Sequence, residues 1–197
     1  KSSNANQVSG GNLMMSIIPV ILKDRDGNGR FDSCNGVGPG DAPRLSCVVA
    51  QVPPGDYVGT TDAEIRNCVN QLTTGGSIYL KAGTYSMSST VAVPGNIRIM
   101  GDPSVRLQCA AGLVAPLLSL GINSSVEGLQ FDLSACTGAS GVSILGNDVL
   151  VRGNNFVSTG AGGNNAILVP AAATGARIRI ENNIAINFRA AGAVISL

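Results

Sequence analysis

Val126-Glu127-Gly128-Leu129-Gln130-Phe131, Val151-Arg152-Gly153-Asn154-Asn155-Phe156 and Ile180-Glu181-Asn182-Asn183-Ile184-Ala185 align without a gap, one copy about every 25–29 residues. An earlier, looser copy begins at Ile99. A second row of short apolar stretches keeps the same beat: Val91/Val93, Leu118/Leu120, Val142/Ile144, Ile167/Val169 and Val194/Ser196. Two rows that advance together, with almost no helix-length pattern between them, mean one turn of chain per repeat. That is the pattern of a solenoid whose strands stack in parallel. Apolar residues two apart, such as Val149/Val151 and Ile178/Ile180, point the same way on a strand and fill a narrow core.

The composition agrees with stacked coils. Charged residues make up 13% and aromatics 4% of the 197, His and Trp are absent, and 26 residues are Gly. Strands buried between neighbours need few charges, and corners consume Gly, Asn and Ser. A net charge of +1, with scattered basic residues and no aromatic platform, gives no electrostatic case for nucleic acid. The greasiest segment, Leu13 to Leu22, is too short for a membrane span and is interrupted by Pro19. It reads as a strand.

Three regions follow: an arm with an apolar strand at 1–22, a Gly/Pro-rich loop region at 23–58, and a capped solenoid at 59–197. The cap is a helix at about 61–73. Thr61-Asp62-Ala63-Glu64 forms a capping box, and Ile65, Cys68, Val69 and Leu72 fall on one face before Gly75-Gly76 ends the helix. A helix of this kind keeps the first coil dry. At the other extremity Ala193 to Leu197 reads as a strand in step with the repeat. A further coil or another subunit is expected to cover it.

The stretch Gly75-Gly76-Ser77-Ile78-Tyr79-Leu80-Lys81-Ala82-Gly83-Thr84-Tyr85, followed by Pro94-Gly95-Asn96-Ile97-Arg98-Ile99-Met100-Gly101, resembles the opening of pectate-lyase-superfamily proteins. The rungs around Asn154 and Asn183 resemble that family's ordinary rungs. The resemblance covers about residues 58–197 and implies an all-β, right-handed parallel β-helix. The superfamily includes lyases, hydrolases, phage tailspikes and silent structural modules, so the resemblance leaves activity open. The residues themselves suggest that Asn154 and Asn183 occupy left-handed turn positions and hydrogen-bond from rung to rung.

Asp24, Asp26 and Asn28 stand at positions 1, 3 and 5 of an EF-hand-type loop, with Gly29 at the sharp turn. Arg30 offers its carbonyl at position 7 and Asp32 its side chain at position 9. Alternating oxygens at this spacing wrap a calcium ion in a structural role. The loop resembles those of dockerins and thrombospondin-type repeats, but Asn35 stands where a bidentate Glu belongs. Five cysteines are present, none in a C-x-x-C pair. Cys34 and Cys47 bracket a Gly/Pro-rich loop and are the expected local disulfide. The alternative to disulfide use is that Cys68, Cys109 and Cys136 are small buried apolar residues.

Glu127, Arg152 and Glu181 share one phase of three successive rungs and form an acid–base–acid ladder on an outer face. Catalysis on a polysaccharide needs more. A hydrolase requires two carboxylates roughly 5–9.5 Å apart. The solenoid portion carries only Asp102, Glu127, Asp132, Asp148 and Glu181, and without His any Ser/His or Cys/His scheme is excluded within this chain. The reading is a secreted or virion-surface structural β-helix, steadied by calcium and self-associating into a filament, appendage, sheath or viral tail component. The alternatives are the N-terminal part of a polysaccharide lyase or hydrolase, and a carbohydrate-binding adhesin.

Overall fold

The computed structural model describes residues 45–159, 163–170, 177–188 and 195–196. The chain divides into two compact units, Lys1–Ala42 and Pro43–Leu197, and every described residue belongs to the second. The apolar segment at 13–22, the loop ligands Asp24, Asp26, Asn28, Arg30 and Asp32, and Cys34 therefore lie outside the described residues.

The second unit is nearly all-β and winds as a parallel solenoid of about four turns with one short helix. Two strands, β1 (Ser46–Ala50) and β2 (Tyr57–Val58), precede helix α1 (Asp62–Gln71). Strands then arrive in threes. The first coil holds β3 (Gly76–Leu80), β4 (Gly83–Met87) and β5 (Val91–Gly95), and the second β6 (Ile97–Gly101), β7 (Val105–Cys109) and β8 (Leu118–Ile122). The third holds β9 (Ser125–Glu127), β10 (Gln130–Asp132) and β11 (Ser140–Ile144). The fourth holds β12 (Leu150–Arg152), β13 (Asn155–Val157) and β14 (Asn165–Leu168). Last come β15 (Arg179–Glu181), β16 (Ile184–Ile186) and β17 (Ile195–Ser196). Each member of a triplet joins a different sheet, in the order β15-β12-β9-β6-β3-β1-β2, β16-β13-β10-β7-β4 and β17-β14-β11-β8-β5.

The register places repeat on repeat. Ile78 lies beside Ile99, Ile99 beside Val126, Val126 beside Val151, and Val151 beside Ile180. A second column runs Tyr85, Leu107, Phe131, Phe156 and Ala185. The Phe131 and Phe156 rings stack within it at 4.8 Å between centroids. The third column corrects the sequence reading at its end: Ile195, not Val194, lies beside Ile167. On a strand, a shift of one residue exchanges the inward and outward faces.

The expected helix is present but ends earlier, at Gln71. Thr61 caps it, accepting from the Ala63 amide at 3.3 Å, while the Glu64 carboxylate accepts from the Thr61 amide at 2.9 Å. Leu72 leaves helical geometry at φ −93°, ψ 53° and is buried with Ile65, Cys68 and Val69. Asp62 bolts the helix to the first coil. Its buried carboxylate accepts from the Ser88 amide and hydroxyl, from the Ser89 hydroxyl and from Arg66. Burial pushes this carboxyl up, but the bonds from Ser89, Ser88 and Arg66 outweigh it and hold the group below its ordinary value. A folded pKa below the unfolded one stabilises the fold above about pH 4 and ceases to do so as pH falls through the folded value. Thermal melts should therefore show Asp62→Asn destabilised at pH 7, with its difference from the parent protein smaller at about pH 2. An equal difference at both pH values would refute the latch.

Residues 45–58, expected as loop, instead add β1 and β2 to the first sheet. Cys47 and Val49 turn inward with the columns of Ile78 and Leu80, so the solenoid begins before the helix. Cys47 bonds to Cys68 on α1, with Cα atoms 5.6 Å apart, instead of to Cys34. The helix carries Cys68 inward on its buried face and presents it to β1. Cys109 and Cys136, separated by one coil of chain, form a second disulfide. Each closes a loop of a size that removes about 3 kcal/mol of unfolded-state freedom.

Candidate functional site

The outer face of the seven-stranded sheet carries the charged ladder. Arg152 lies beside Glu127 on one side and Glu181 on the other, as the shared phase implies. The bonds are not shared equally. Arg152 donates through Nε (3.1 Å) and Nη2 to Glu127. Arg98 donates to the same carboxylate from the opposite rung, its Nε 2.8 Å from Oε1. The Ser125 hydroxyl adds a bond at 3.2 Å. Glu181 instead pairs along its own strand with Arg179, at 2.6 Å. The ladder is thus Arg98–Glu127–Arg152, with a separate Arg179/Glu181 pair on the last coil.

Arg98 was not legible as a partner because it stands beside Ser125, two residues off the phase of Glu127. Long side chains reach such diagonal neighbours, and that geometry is the signal that could have found it. Burial raises the Glu127 carboxyl, but its bonds to Arg152 and Arg98 prevail and hold it below the usual carboxylate range. A general acid at neutral pH requires the opposite shift. Each arginine contact is half-exposed and contributes on the order of 0.2–1 kcal/mol.

The other carboxylates are used in the same way. Asp132 sits 3.5 Å from Arg106 on the neighbouring rung, and Asp148 receives two bonds from Arg177 one coil later. Asp102 accepts the Tyr79 hydroxyl at 2.5 Å and the Ala82 amide at 2.9 Å. The Tyr79 bond holds its carboxyl low, and Lys81 lies over the Tyr79 ring. Among the described residues no group of three or more His, Cys, Asp or Glu is arranged to hold a metal.

The asparagines work inside the turn. Asn154 Oδ1 accepts from the Leu129 amide at 3.0 Å, and its Nδ2 donates to the Val126 carbonyl and to Asn183 Oδ1, both at 3.1 Å. Asn183 Nδ2 donates in turn to the Val151 carbonyl at 2.8 Å. The left-handed positions belong to the residues one earlier, Gly128, Gly153 and Asn182, not to Asn154 and Asn183 as the sequence suggested. A further buried asparagine escaped the sequence reading. Asn164 accepts from the Ala139 amide and donates to the carbonyls of Leu133 and Cys136, each at 3.0 Å.

The last coil differs from those before it. Val151, Phe156 and Ile167 are fully buried, whereas their successors Ile180 and Ala185 are only partly so, and Ile195 is 45% exposed. Ala185, standing next to Phe156, leaves a hollow of about 200 Å³ lined by Phe156, Ala166, Ile167, Ile180, Ala185 and Ile195, among others. Outward-pointing Ile184 and Ile186 are also exposed.

The geometry defines a parallel β-solenoid. The chain matches no protein-family model and no curated protein. Among solved structures it is similar to ORF18 of Geobacillus virus E2, at 14% identity and a TM-score of 0.32, the match covering 61% of this chain and 44% of the viral one. It is also similar to a "putative glycosyl hydrolase" from Parabacteroides merdae, at 10% identity and a TM-score of 0.32, covering 64% of this chain and 91% of that one. At these TM-scores the likeness says nothing about activity. No helix among the described residues is long and apolar enough to cross a membrane.

Proposed function

We propose that this protein is a secreted structural β-solenoid, a self-associating subunit of an extracellular assembly. The way the coils are tied to one another carries the reading: Arg98 and Arg152 hold Glu127 from opposite rungs, and Asn154, Asn164 and Asn183 bond from rung to rung. The two disulfides support an oxidising, extracellular setting. Carboxylates tied to arginines of adjacent rungs favour a scaffold over acid–base chemistry.

In this reading Asp24, Asp26, Asn28, Asp32 and the Arg30 carbonyl bind calcium and order the region before β1. Light scattering and electron microscopy of the purified protein test the assembly, and melts with calcium or EDTA test the ion. A defined oligomer, and a Tm lowered by EDTA and restored by calcium, are expected. A monomer at all concentrations would overturn the first, and a Tm indifferent to both additions the second.

A further inference from the structure

We propose that Asn123 carries an N-linked glycan. This rests on the extracellular reading above and adds a modification site to it. Three observations carry it.

First, Asn123-Ser124-Ser125 is an acceptor triplet, an asparagine two residues before a hydroxyl with no proline between them. No other asparagine of the chain is followed by Ser or Thr at that distance. The transfer forms a bond from Asn123 Nδ2 to the anomeric carbon of a sugar. The bond from that carbon to the diphosphate of a lipid-linked oligosaccharide donor breaks. The diphosphate leaves with the electron pair, and Nδ2 gives one proton to solvent. Such transfer acts on chains entering the compartment where disulfides form, and the two disulfides of this chain agree with that route.

Second, the fold leaves the acceptor outside. Asn123 is exposed at the corner between β8 and β9, in left-handed geometry at φ 53°. Its amide is held by the Asn147 carbonyl at 2.8 Å. Its Nδ2 donates to Asn96 Oδ1 at 2.9 Å, in an exposed bond. Nδ2 has two hydrogens, so one remains for Asn96 after transfer. The Ser125 hydroxyl is read before the coil closes, and in the folded protein it bonds to Glu127 at 3.2 Å. Asn154 and Asn164 differ. Both are buried, with each end of the carboxamide bonded to backbone of another segment, and a sugar there would part the coils.

Third, the surroundings suit a sugar ring. Ile122, just before Asn123, is 53% exposed. It pairs with Gly95 on the rung before, and Gly146 packs against its backbone on the rung after. Leu145, beside Gly146, is 54% exposed. The two glycines bring no side chain to this corner. The C–H face of a first sugar on Asn123 has room to lie over Ile122 and shield it from water.

The test uses the native protein, purified from its source. An N-glycosidase acting in heavy-oxygen water turns a glycosylated asparagine into labelled aspartate, which peptide mass spectrometry locates. Label is expected at Asn123 and at no other asparagine, with the mass of one glycan lost from the intact chain. Produced in cells of the same source, Asn123→Gln and Ser125→Ala should lose the glycan, and Ser125→Thr should keep it. Circular dichroism and Tm confirm that the variants fold. Disulfide-bonded native protein with Asn123 unlabelled overturns the glycan and leaves the extracellular reading standing. So does a glycan that persists in Asn123→Gln. Native protein with Cys47, Cys68, Cys109 and Cys136 as free thiols and Asn123 unlabelled overturns both.

Discussion

Gly121→Ala is expected to destabilise the protein by about 4 kcal/mol or more, or to abolish soluble expression. A Cβ on Gly121 would fall on the Pro94 carbonyl oxygen of the preceding rung, closer than any real Cβ approaches such an atom, and would press on the Val93 carbonyl as well. Those atoms are backbone, held by the β5–β8 pairing, and cannot swing aside as a side chain would. The rungs must part, and every contact stacked above loosens with them. A fall in Tm of roughly 10 °C or more is expected. Gly128→Ala is the control. Its φ of +72° costs an alanine about 1–2 kcal/mol, yet nothing lies within 4 Å of the added carbon. If the two variants melt together, the close approach at Gly121 is not what makes that position glycine.

Asn154→Leu is expected to cost about 2–5 kcal/mol despite its similar volume. Asn154 is 1% exposed. Its carboxamide satisfies the Leu129 amide on one side and the Val126 carbonyl on the other. Leucine leaves both groups buried without that partner, and the bond from Asn154 Nδ2 to Asn183 is lost with them. Asn154→Asp separates the roles. A carboxylate still accepts from Leu129 but cannot donate to Val126, and it sets a negative charge against carbonyl oxygen. Protonation restores a donor, so this variant should be least stable, relative to the parent, at neutral pH and recover part of its deficit near pH 4. Thermal or urea melts across pH distinguish the cases. A leucine variant within about 0.5 kcal/mol of the parent would show that the network is dispensable.

Both variants probe contacts between one coil and the next, and this is where the sequence reading reached its limit. The winding was legible because Val126, Val151 and Ile180 recur in phase with Phe131, Phe156 and Ala185, and such recurrence lies along the chain. The capping box was legible because Thr61 and Glu64 are three residues apart and interact within one turn. Arg98 and Asn164 were not, because each finds its partners on another coil. The coils also differ in length, as the steps from Ile78 to Ile99 and from Val151 to Ile180 show. A diagonal contact depends on those lengths. The Cys34–Cys47 expectation failed for a related reason. Nearness along the chain suggested a local bridge, while β1 places Cys47 in the core, facing Cys68 on the helix.

The sequence alone determined the stacked coils, their inward columns and the helix across the first coil. Apolar phase and local capping are properties of neighbouring residues, and hydrophobic burial acts on them whatever the distant partner. Only the tertiary structure decided which cysteines join, which arginines hold Glu127, and which backbone groups Asn154 and Asn164 satisfy. Directional bonds need positions fixed to a fraction of an ångström across rungs, and only the turns between strands, once folded, supply them.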